Sequence, residues 1–102
     1  MHLIEIFLPQ CDNQGHDFSS GLFSRVRQDL VERFGGMTAF TRMPVEGLWD
    51  TPDGDKCYDA IIIYEVMVQE LDRQWWRDYK ADLEKRFAQE ELLIRISSID
   101  VI

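Results

Sequence analysis

Two glutamates interrupt otherwise apolar segments of the chain. Glu5 lies within the N-terminal run LIEIFL, and Glu65 lies within the longer run AIIIYEVMV. A carboxylate in apolar surroundings could act as a general acid or base. Two arginines, Arg42 and Arg95, could instead form structural ion pairs with these acids. Which hypothesis holds depends on whether the fold brings the four side chains to one surface.

A polar loop after the first apolar run carries a second group of possible ligands. Its members are Cys11, Asp12, His16 and Asp17. Cysteine, histidine and carboxylate groups can bind a metal ion, but the spacing here matches no established site. We therefore predict no metal and no other cofactor, and expect these loop side chains to be solvated. Cys11 and Cys57 are the only cysteines and form no CxxC pair, so we expect both to be reduced thiols.

Trp49 is the aromatic residue most suited to a site, because it lies in the segment expected to form a hairpin, directly before the predicted turn at 50–55. It could stand at the mouth of a cavity or cross a contact between two copies of the chain. The alternative is a cross-strand partner for Tyr58 within one hairpin. The sequence leaves both possibilities open.

The elements that must position these side chains follow from apolar periodicity. Strands are predicted at about 3–8, 37–42, 59–68 and 92–96, and helices at about 20–34 and 73–87. Ser19 or Ser20 can cap the first helix and Asp72 the second, while Gly35 and Gly36 end the first helix. The segment 43–58 is expected to form a hairpin that leads into the long third strand.

This order, β-α-β-β-α-β, predicts a single α+β domain over residues 1–102. The pattern is typical of a ferredoxin-like sandwich, with a four-stranded antiparallel sheet in the order 4-1-3-2 and both helices on one face. The segments 29–34 (DLVERF) and 82–87 (DLEKRF) resemble each other, as two related halves of this fold would.

Alternation along the predicted strands places Glu5, Glu65, Arg42 and Arg95 on the sheet face away from the helices. The strand order then predicts two ion pairs, Arg95 with Glu5 and Arg42 with Glu65. The same face receives seven large apolar residues: Leu3, Phe7, Phe40, Ile61, Ile63, Met67 and Leu93. Burying them is worth on the order of 10 kcal/mol, so we predict a homodimer that packs sheet face to sheet face. Coverage by the 43–58 hairpin is the rival explanation.

Composition limits the partners and the location. The chain has 11 basic and 19 acidic residues, a net charge of −8 and a pI near 4.6. Nucleic acids and anionic membranes would be repelled by this charge. No apolar run approaches the roughly 20 residues of a membrane span, and the N-terminus is too polar for a signal peptide. We expect a cytoplasmic protein that binds neither nucleic acid nor membrane.

Three short segments carry a resemblance to a known group. They are RFGGMT (33–38), EGLW (46–49) and RFAQE (86–90). This set resembles an uncharacterised family of short bacterial proteins, and the resemblance implies a fold but no activity. At the level of the fold, the chain is also similar to the dimeric α+β barrel group. That group includes cofactor-independent monooxygenases, small isomerases and ligand-sensing domains, so it does not decide the function.

Two hypotheses about function follow. The first is a homodimer without catalytic activity that binds a small molecule or a protein partner. The second is a small cofactor-independent enzyme, monooxygenase-like or isomerase-like, that acts on an apolar or aromatic metabolite inside the barrel. The candidate pocket or interface residues are the same in both cases: Glu5, Arg42, Trp49, Glu65 and Arg95.

Overall fold

The computed structural model describes residues 1–42 and 61–102. In chain order the elements are β1 (His2–Pro9), α1 (Ser20–Phe34), β2 (Thr38–Arg42), β3 (Ile61–Val68), α2 (Arg73–Arg86) and β4 (Leu93–Ser98). The predicted α+β class, with two helices and an antiparallel sheet, is confirmed. The predicted 43–58 hairpin, with Trp49 and Tyr58, lies outside the described residues.

The strands lie in the order β2-β3-β1-β4, and every neighbouring pair is antiparallel. The two central strands, β1 and β3, are the two apolar runs that contain Glu5 and Glu65. Their β-branched and aliphatic composition suits a strand with neighbours on both sides. The N-terminal strand β1 also pairs with β4, the strand predicted near residue 92, which lies at one edge of the sheet.

Both helices begin, and α1 ends, at the residues that the sequence indicates. The Ser19 hydroxyl accepts a hydrogen bond from the backbone N–H of Leu22 at 3.3 Å, and the Asp72 carboxylate accepts one from Trp75 at 3.1 Å. These caps satisfy N–H groups that lack a partner within the helix. Gly35 ends α1 in the left-handed conformation, with φ of 82°. The predicted N-caps and the predicted end of α1 are confirmed.

One face of the sheet carries the core, and both helices pack against it. The buried side chains of this cluster are Ile4, Ile6, Leu8, Phe23, Val26, Leu30, Tyr64, Val66, Trp76, Tyr79, Leu83, Phe87 and Leu92. They alternate along the central strands and recur every three or four residues along the helices, as the two periodicities require. The helices thus cover one face of the sheet. We call the other face the open face.

A charged bridge joins the two helices beside this core. Arg86 of α2 donates to Asp29 of α1 at 2.7 Å and to Asp82 at 2.6 Å. The Tyr79 hydroxyl donates to the same Asp29 carboxylate at 3.1 Å. Burial and the negative charge of Asp29 both raise the pKa of Tyr79, so its phenol stays protonated. This bridge holds α1 and α2 at a fixed register.

The loop between β1 and α1 is organised by its own side chains. The Asp12 carboxylate accepts hydrogen bonds from the backbone N–H groups of Gln14 and His16, both at 2.9 Å. These bonds, led by the one from His16, lower the pKa of Asp12. Cys11 is disulfide-bonded, so the expectation of a reduced thiol at this position is wrong. The only other cysteine of the sequence, Cys57, lies outside the described residues.

Candidate functional site

Four polar residues line up across the middle of the open face. The strand registers pair Glu5 with Arg95, Glu5 with Glu65, and Glu65 with Thr38. Directly opposed residues share a face of the sheet, so these four form one line that crosses every strand. We call Arg95, Glu5, Glu65 and Thr38 the polar row.

The predicted ion pair between Arg95 and Glu5 is confirmed. The Nε of Arg95 donates to Oε1 of Glu5 at 3.1 Å. The Glu5 side chain is only 13% exposed, whereas that of Arg95 is 55% exposed. The guanidinium also lies 5.0 Å from the centre of the Phe7 ring, within cation–π range. The carboxylate is therefore held in place, while more than half of the arginine side chain is exposed.

The strand register does not set Arg42 beside Glu65, as the second predicted ion pair requires. The register places Arg42 opposite Ile61 and places Thr38 opposite Glu65. Ile61, the partner of Arg42, lies four residues from Glu65 along β3. At about 3.3 Å per residue, this separates the two positions by roughly 13 Å. Glu65 makes no ion pair with any side chain of residues 1–38 or 61–102. A half-buried carboxylate thus lies next to a neighbour of the same charge.

Two apolar rows flank the polar row. On one side Leu3 pairs with Met67, and on the other Phe7 pairs with both Leu93 and Ile63. Met67 is 57% exposed and Leu93 is 54% exposed, although both are large and apolar. Ile63 is almost fully buried at the centre of its row. The open face therefore presents apolar side chains to solvent on both sides of a charged line.

Sequence reasoning missed the direct opposition of Glu5 and Glu65. The signal was present, because the first strand and the third strand carry their acids in similar contexts, IEIFL and YEVMV. Aligning the two acids gives the observed register. Of the predicted site residues, Glu5, Glu65 and Arg95 lie together, Arg42 pairs with Ile61 four positions from Glu65, and Trp49 lies outside the described residues.

The described residues form no cluster of side chains that could bind a metal ion. No group of three or more histidine, cysteine, aspartate or glutamate side chains in residues 1–42 and 61–102 could hold a metal ion. His16 and Asp12 do approach each other, at 3.6 Å between Nδ1 and Oδ2, but they do so within an exposed turn. In the same ranges, no helix is long and apolar enough to cross a membrane.

The chain was compared with protein families and with curated proteins. No protein-family model matches the chain, and no curated protein matches it. The resemblance to a family of short bacterial proteins therefore stays a prediction.

Proposed function

We propose that this protein is a ferredoxin-like homodimer that packs open face against open face and binds a small molecule or a protein partner. The observation that carries the proposal is the pair of apolar rows on the open face. Met67 and Leu93 are large apolar side chains that are more than half exposed. Contiguous exposed apolar surface on a soluble protein commonly marks a contact with another molecule.

A second copy is the best occupant because the polar row carries a cation and an anion on opposite sides of β1. Glu5 lies in the middle, with Arg95 one strand away on one side and Glu65 one strand away on the other. A two-fold axis that runs along β1 would therefore set Arg95 of each copy against Glu65 of the other. Among the described residues Arg95 uses only Nε, in its bond to Glu5, so its terminal nitrogens could bond to Glu65 of the second copy.

The same axis brings apolar residues together. Phe7 lies on β1 itself, so the axis would place Phe7 of one copy against Phe7 of the other, with the exposed Leu93 beside each. The two apolar rows would then close over the charged centre, which strengthens the ion pairs by excluding water. This arrangement gives Glu65 a cationic partner from the second copy.

A binding role is better supported than the enzymatic alternative. A general acid or base needs a carboxylate that can reach a substrate. Glu5 is instead 13% exposed and bonded to Arg95. Its geometry suits a fixed structural charge that sets the register of an interface.

Mass in solution tests the proposal. Light scattering at micromolar concentration should give twice the chain mass of 12.1 kDa. The double variant M67K/L93K should become monomeric, since lysine on the apolar rows cannot be buried cheaply. The matched control is V31K, because Val31 is 47% exposed but lies on α1, away from the open face. A monomeric wild-type protein, or equal behaviour of the two variants, would overturn the proposal.

A further inference from the structure

A small cavity lies between α2 and the edge strand β4, on the helix side of the sheet. Its lining residues are Arg73, Trp76, Arg77, Lys80, Ile94 and Ile96. The four residues from α2 fall on one face of the helix, at spacings of three and four. Ile94 and Ile96 come from alternate positions of β4, so both present their side chains to the helix. The cavity is thus built by two elements that the core holds together.

The rim of the cavity is cationic, although the whole chain carries a net charge of −8. Arg73 and Arg77 are exposed and form no ion pair with any residue in the described parts of the chain. Lys80 is different, because Glu84 lies 2.9 Å and Glu91 3.5 Å from its amino group. The uncompensated charge at the rim therefore comes from the two arginines.

The floor of the cavity is apolar and partly aromatic. Trp76 is nearly buried, and its ring stacks on Phe34 at a centroid distance of 5.2 Å, so the indole is fixed. Ile94 and Ile96 are half-buried beside it. The cavity has a volume of about 150 Å³, and an apolar cavity of about that size in another protein admits one benzene ring. The floor thus suits a single ring.

We propose that this cavity binds a small aromatic carboxylate, with the ring on Trp76 and the isoleucines and the carboxylate on Arg73 and Arg77. Guanidinium groups bind carboxylates through paired, charge-assisted hydrogen bonds, which a lysine cannot imitate. The proposal names a ligand for the binding role given above. It does not depend on the dimer, because α2 lies on the opposite side of the sheet from the open face.

Titration with benzoate, followed by amide chemical shifts in NMR, tests the site. Benzoate should shift resonances of α2 and β4 in a saturable manner. Benzamide has the same ring without the charge, and it should bind about tenfold more weakly, as expected when a charged hydrogen bond is lost. The variant R73Q/R77Q should weaken benzoate binding by about the same factor.

The control variant is R25Q, which removes a cation from the exposed side of α1 and should leave benzoate binding unchanged. All three substituted arginines are exposed, so the variants should fold, and circular dichroism would confirm this. Equal shifts with benzoate and benzamide, or equal affinity in R73Q/R77Q and the wild type, would overturn the site. Light scattering of the same samples reports the dimer independently, so either proposal can fail alone.

Discussion

Glu5 and Glu65 occupy directly opposed positions in the antiparallel ladder between β1 and β3. Like charges at opposed positions destabilise a sheet by a few tenths of a kcal/mol up to about 1 kcal/mol. Within one chain, Arg95 offsets only part of this repulsion, because it bonds to Glu5 alone. A second arginine placed against Glu65 would complete the balance. The opposition is therefore a cost to the single chain that a two-fold partner can remove.

The first prediction tests this balance by exchanging charges. The variant R95E should weaken the dimer by at least about tenfold, because it loses a cation next to Glu5 and another next to Glu65 of the partner. The double variant R95E/E65R should recover the dimer. Glu5 lies between the two substituted positions, so the exchange restores one cation and one anion beside it. Sedimentation equilibrium measures the dissociation constant of each variant.

The control for the exchange is R25E, a charge reversal on the exposed face of α1 that should leave the dissociation constant unchanged. If R95E/E65R stays as dissociated as R95E, then Arg95 and Glu65 do not meet across the interface. An unchanged dimer in R95E would contradict the proposed role of the polar row altogether.

The second prediction concerns the bridge between the helices. R86M keeps most of the apolar stem of Arg86 but removes the bonds to Asp29 and Asp82. Asp29 then remains as a partly buried carboxylate with only the Tyr79 hydroxyl as a side-chain donor. We expect a loss of about 1.5–3 kcal/mol in the free energy of unfolding. Urea denaturation at a fixed protein concentration measures it, with R25M as the exposed control.

If R86M and R25M lower the free energy of unfolding by the same amount, within about 0.5 kcal/mol, the bridge adds nothing to stability. The network would then resemble an exposed ion pair, whose contribution is commonly small. The position of Arg86 against Asp29 argues for the larger effect, because both side chains are less than a third exposed.

The sequence predicted the pairing of Glu5 with Arg95 but failed for Arg42, and the reason is physical. Alternation along a strand reports which face a residue occupies, and only an odd shift of register changes that face. The register of β2 differs from the predicted one by four residues, so Arg42 keeps its face while its partner becomes Ile61. The cavity between α2 and β4 was missed because it depends on how the two elements pack. Its only sequence signal was the spacing of Arg73, Arg77 and Lys80.

The third prediction concerns the end of α1. Gly35 has φ of +82° with no atom within 4 Å of an added Cβ, so G35A introduces backbone strain without a clash. We expect a loss of about 1–2 kcal/mol in the free energy of unfolding. G36A is the matched control, since Gly36 has equal space and no positive φ. Thermal or urea denaturation compares the two, and equal stability of G35A and G36A would contradict the left-handed end of the helix.

The fourth prediction concerns the part of the pH dependence of stability that Tyr79 contributes. Burial, together with the charge of Asp29, raises the pKa of Tyr79 above its usual value of 10.0. Above about pH 10 the unfolded chain loses the phenolic proton while the folded chain keeps it, so stability falls as pH rises. Y79F should be less stable than the wild type at neutral pH, by about 0.5–1.5 kcal/mol, because it loses the bond to Asp29. The difference between the two proteins should shrink as the pH rises above 10, because only the wild type carries this penalty. Urea denaturation across this pH range measures the difference, and a constant difference would show that the Tyr79 phenol titrates equally in the folded and unfolded chains.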